Sequence, residues 1–176
     1  MIRKLVFIAF FTIAGLGKLS AQETTFGATA GFHNFTISAS GGEITASSSS
    51  QGYFVGLFAE FNVSDKFNVQ PEVHFASVFE EGETLNELII PIMAKYYVSD
   101  EFSIQAGPQL DFLIEDDAEG INKFGVGVAI GAGYDFTEKL FVSSRYSFGL
   151  SNRIENAPSG ISSRFDTFQI GLGYRF

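Results

Sequence analysis

From Phe168 to Phe176 every second side chain is apolar: Phe168, Ile170, Leu172, Tyr174 and Phe176 alternate with Gln169, Gly171, Gly173 and Arg175. A strand sends successive side chains to opposite faces, so a period of two gives one wholly apolar face and one small or polar face. Two folds can use such a strand. A soluble barrel would turn the apolar face inward, and a membrane barrel would turn it to lipid.

Seven further segments repeat the pattern, over residues 25–36, 52–63, 67–77, 88–98, 102–113, 124–136 and 140–150. Each is about 10–12 residues, the length a tilted membrane strand needs. Three tight turns of one kind join them in pairs: Ser64-Asp-Lys, Ser99-Asp-Glu and Thr137-Glu-Lys. Four longer polar connections alternate with these turns, over residues 38–51, 79–87, 114–122 and 151–164. Short turns at one end and long loops at the other are the layout of an outer-membrane barrel. No stretch carries a sustained helical period, and none after the first twenty residues is long and apolar enough for a membrane helix.

The faces decide the orientation. On a soluble barrel the segment from Phe124 to Phe136 would show water little but glycine. The apolar faces end near the short turns in Phe67, Tyr96, Phe102, Tyr134, Phe136, Tyr174 and Phe176, as an aromatic girdle at a membrane interface does. Closure is then required, because lipid cannot satisfy an open sheet edge. The expected fold is all-β: an eight-stranded antiparallel up-and-down transmembrane β-barrel over residues 22–176.

Residues 1–21 read as a cleaved signal peptide. Arg3 and Lys4 precede an apolar run from Leu5 to Gly17, and Ala21 offers a small residue for the cut. Its removal takes away Arg3, Lys4 and Lys18 and no acid, so the net charge goes from −9 to −12. So acidic a chain is a poor partner for nucleic acid, whose phosphates need Lys and Arg. There is no cysteine, hence no disulfide framework.

The segment Leu88-Ile-Ile-Pro-Ile-Met-Ala-Lys-Tyr-Tyr97, the Arg145-Tyr-Ser pattern and the terminal Gly171-Leu-Gly-Tyr-Arg-Phe176 resemble the outer-membrane β-barrel "porin family" proteins. The resemblance implies a bacterial outer-membrane location, a lipid environment and help from the barrel-assembly machinery. It also gives Leu172, Tyr174 and Phe176 the role of the C-terminal assembly signal. It assigns no activity.

Counting from the short turns places the inward charges. Pairing Val63 with Phe67, Val98 with Phe102 and Phe136 with Leu140 sets Glu60 opposite Gln70, Lys95 opposite Gln105 and Arg145 opposite Gly131. A buried network of Glu60, Glu72, Lys95 and Arg145 is expected near mid-barrel, with Gly131, Gly133, Gly171 and Gly173 leaving room for Arg145. Eight strands leave space for side chains and little else, so the polar lumen is expected to be mostly plugged by the network.

Two acidic clusters, one of Glu80, Glu81, Glu83 and Glu87 and one of Glu115, Asp116, Asp117 and Glu119, fall in external connections. No spacing matches a calcium loop, so they read as solvated charge, with no metal and no cofactor expected. His33, His74 and Asp111 lie on strands without the spacing of a nucleophile–base set, so no enzyme is expected. The chain is expected to serve as a monomeric barrel with a structural or interaction role. A narrow porin-like channel is the alternative.

Overall fold

The computed structural model describes residues 24–41, 44–80, 83–114 and 120–176, and the expected signal peptide lies outside them. Eight strands form one closed antiparallel barrel in chain order. They are β1 (Thr24–Gly41), β2 (Ile44–Ser64), β3 (Phe67–Glu80), β4 (Glu83–Tyr97), β5 (Phe102–Leu113), β6 (Phe124–Asp135), β7 (Leu140–Gly149) and β8 (Ile161–Arg175). β8 closes on β1 from Gly27 opposite Arg175 to Gly41 opposite Ile161 without a register shift. Every strand therefore pairs on both sides over its membrane-spanning part.

The registers set Lys95 opposite Gln105 and Gly131 opposite Arg145. Between β2 and β3, Asn62 faces Asn68 and the ladder then shifts, so Ser64 and not Val63 meets Phe67. That shift takes up one residue beside the turn and leaves the pairing above it in register. Leu57, Ile104, Ile130, Leu172 and their neighbours point out of the barrel and are about half exposed. The girdle aromatics point outward as well, and Tyr134–Phe136 and Tyr174–Phe176 stack as pairs at 5.4 Å and 6.2 Å.

Two polar connections expected from the sequence, 38–51 and 79–87, are largely strand, and the end of a third, 151–164, is strand. β1 and β2 run on to Gly41 and Ile44, β3 and β4 to Glu80 and Glu83, and β8 begins at Ile161. Serine- and glutamate-rich stretches look like loops by composition. In the barrel their backbone hydrogen bonds are supplied by a neighbour already held in register.

Candidate functional site

The inward positions begin with glycine and a bulky partner. Gly27 stands opposite Phe58, Gly31 opposite Phe54 and His33 opposite Gly52 across the β1–β2 ladder. Gly56 stands opposite His74, Gly131 opposite Arg145 and Gly173 opposite Phe141 on other ladders. A Cβ at Gly27 would overlap the Phe58 ring, at Gly56 the His74 ring and at Gly173 the Phe141 ring. A narrow barrel holds rings and guanidinium groups because the strand beside each gives up its own side chain.

The four charges singled out from the sequence fall into two clusters. In one, Arg145 on β7 reaches across the lumen to Glu72 on β3 with two hydrogen bonds, Nη1 to Oε2 at 3.0 Å and Nη2 to Oε1 at 2.8 Å. His74 Nε2 lies 2.6 Å from Glu72 Oε2. In the other, Lys95 Nζ donates to Glu60 Oε2 at 2.5 Å and Asn68 Nδ2 donates to Glu60 Oε1 at 2.8 Å. Gln70 joins the two: its Oε1 accepts from Lys95 at 3.0 Å and its Nε2 donates to Glu72 at 3.0 Å. Glu72, Lys95 and Arg145 are each at most 5% exposed.

The polar chain continues to the short-turn end. Arg175 Nη2 lies 3.7 Å from Glu60 Oε2 and donates to both oxygens of Asp135 at 3.1 Å. The Tyr97 hydroxyl donates to Asp135 at 3.1 Å. These groups floor a vestibule of about 670 Å³ whose rim includes Asp65, Asp100, Glu101 and Glu138 of the three turns. Phe141 stacks beneath the Arg175 guanidinium at 4.6 Å.

Towards the long-connection end the lumen changes character. His33 Nε2 lies 2.6 Å from Glu87 Oε1, both side chains fully buried. Glu87 therefore belongs to the lumen and not, as its neighbours in sequence suggested, to an external acidic cluster. Residues 115–119, the second cluster, lie outside the described residues. Above this pair Phe35, Val78, Leu113 and Phe165 form an apolar layer, and Phe54, Ala76 and Ile89 form another close by. The lumen thus holds apolar clusters beside its polar groups, where a polar filling was expected. Of the four glycines expected to make room for Arg145, only Gly131 adjoins it. Gly133 stands against Gln105, Gly171 against Phe54 and Gly173 against Phe141.

Arg153 arrives from the β7–β8 connection, which has no period to announce it. Its guanidinium pairs with Asp111, stacks 4.4 Å from the Phe165 ring, occupies the space beside Gly125 and donates to the Asn122 carbonyl at 3.2 Å. Burial draws its pKa down to about 10 against the opposing charge of Glu87, so it stays charged at neutral pH. Asn122 also donates through its backbone to the Arg153 carbonyl, so the two neighbouring connections are tied to each other and to the barrel. Arg153→Ala is expected to leave the barrel folded while proteinase K, which does not need a basic residue at the cut, cleaves the 151–164 segment at least ten times faster. Unchanged cleavage would show that backbone bonds alone hold the connection.

Neither histidine has a hydrogen-bonding serine among the described residues, and each faces a carboxylate. The outward Leu172, Tyr174 and Phe176 are 55%, 47% and 70% exposed.

Residues 20–155 match the family described as outer membrane protein beta-barrel domain, and the chain belongs to that family. It is 26% identical over 130 residues to the opacity protein opA60 of Neisseria gonorrhoeae, an alignment that takes in 69% of this chain and 50% of the relative. The chain thus spans half the length of that curated relative. Among solved structures it superposes on Ail, the attachment invasion locus protein of Yersinia pestis, with TM-score 0.55 and 13% identity over 88% of this chain and 99% of that one. The outer membrane enzyme PagL gives 0.53 and 14% over 86% and 99%. Neisserial surface protein A gives 0.50 and 14% over 88% and 99%. At these identities the likeness is one of fold. The protein is an integral barrel of the bacterial outer membrane.

Proposed function

We propose that this barrel is a non-conducting outer-membrane protein, monomeric and without enzymatic activity, that serves a structural or interaction role. The observation that carries the reading is the bidentate Arg145–Glu72 pair, which spans the lumen from β7 to β3 with both side chains buried. Glu60 and Lys95 extend the filling towards the short turns, and the Phe35–Phe165 layer extends it towards the outside. Glu60, Glu72, Lys95 and Arg145 act here as a structural plug. Leu172, Tyr174 and Phe176 present the outward aromatic pattern for the assembly machinery.

A narrow channel is the second reading, favoured by one observation. Gln105, Gln109 and Gln169 are buried in the lumen with amide atoms that bond to no protein group. Such atoms favour water, and water in a row of them would make a path. Planar-bilayer recording of the folded barrel separates the two readings. Wild type and Arg145→Ala are both expected to give no unitary current steps. Regular steps from wild type would establish the channel and end the plug.

A further inference from the structure

β1 runs unbroken in register with β2 from Thr24 to Gly41 and with β8 from Gly27 to Gly41. Side-chain parity therefore holds along its whole length, and one face can be followed from membrane to exterior. Up to Phe32 on β1, Tyr53 on β2 and Phe168 on β8, that outward face is apolar. Beyond them it turns wholly polar. On β1 the next outward residues are Asn34, Thr36, Ser38 and Ser40. Facing them in turn on β2 are Gln51, Ser49, Ser47 and Thr45. On the other side Asp166 faces Thr36, Arg164 faces Ser38 and Ser162 faces Ser40.

Three properties suit this face to a ligand better than to bulk water. Its side chains are mainly short hydroxyls, which lose little rotamer freedom when held, whereas long charged chains cost more. Several are already ordered: Thr36 bonds to Ser49 at 2.8 Å and donates to Asn34 at 3.2 Å, and Ser40 bonds to Ser162 at 3.0 Å. The single cation, Arg164, is balanced by Asp166, so the face selects hydrogen-bonding partners more than charge.

Its height identifies the partner. From Asn34 to Gly41 the strand climbs about 18 Å above the apolar band, at about 3.3 Å per residue and a tilt near 40°. The headgroup layer of an ordinary bilayer is only about 5–8 Å thick on each side. A molecule that rests on the acyl chains below and still covers this face must carry a tall, hydroxyl-rich headgroup.

We propose that the outward face of the β8–β1–β2 extension binds the sugar headgroup of an outer-leaflet glycolipid. This deepens the interaction role proposed above and rests on it. Lumen conductance does not enter, so a conducting barrel would leave this inference standing.

The test uses the folded full-length barrel in lipid nanodiscs. The probes are lipopolysaccharide with its core sugars, lipid A without them, and phosphatidylglycerol. Wild type is expected to bind the sugar-bearing form at least tenfold more tightly than either other lipid. In S38A/S47A/S49A/R164A that preference is expected to fall at least fivefold, with the heat-sensitive gel mobility of the folded barrel retained. Equal binding of all three lipids by wild type overturns the proposal, as does a folded variant that keeps the full preference. Should the variant not fold, free core oligosaccharide is titrated against wild type. Competition supports the proposal and its absence overturns it.

Discussion

Glu72→Ala is expected to destabilise the barrel by about 3–5 kcal/mol, the cost of leaving a buried charge without its partner. Arg145 would keep its guanidinium in the lumen without the carboxylate it now pairs with, and His74 and Gln70 would each lose a contact. Arg145→Ala should cost less, because Glu72 keeps His74 at 2.6 Å and the Gln70 hydrogen bond. The double variant is expected to be markedly less destabilised than the sum of the two, because it removes both charges together. Urea unfolding in lipid vesicles measures all three. The chain has no tryptophan, so the transition is followed by far-UV circular dichroism. Strict additivity would mean that the two groups do not act as a pair. Glu72→Gln refines the test: it keeps a hydrogen-bond acceptor while removing the charge, so a loss close to that of alanine assigns the effect to charge.

The pair also shows what could be read from the chain. Glu72 sits between Pro71 and Val73, Arg145 lies on the face opposite Leu140, Val142, Tyr146 and Phe148, and the short turns fix how far each lies from the barrel end. Strand count, strand order and the inward side of both residues follow from those two facts. The same counting sets Glu72 and Arg145 at similar heights on opposite walls, but it does not give which atoms meet, because a lumen side chain crosses to whichever strand its length and its neighbours permit. Lys95 thus meets Glu60, two strands away, and Arg145 meets Glu72 on the far wall. Three features lay further from reach. Glu87 sits among glutamates, and composition cannot show that its strand has not yet ended. Arg153 enters from a connection, where no period applies. The outer half of β1–β2 is rich in serine, a weak strand former that becomes strand only beside a fixed neighbour.

The glycines carry a stronger rule than their composition suggests. Phe58, Phe54, His74, Arg145 and Phe141 each face a glycine directly across a ladder. Given the register, the sequence alone would have paired them. If shape complementarity is the reason, a ring can change sides. Phe141→Gly removes a side chain that packs on Phe58 at 5.6 Å and lies under Arg175, and should cost about 3–5 kcal/mol. Gly173→Phe alone places a second ring where the Phe141 ring already lies, and should prevent folding. The double variant F141G/G173F restores one ring and one glycine to the pair. It is expected to fold and to recover at least half of the stability lost in F141G, read by gel mobility after refolding and by urea midpoint. A double variant no better than G173F would mean that the strand bearing the ring matters in itself. The rule would then reduce to backbone needs at Gly173.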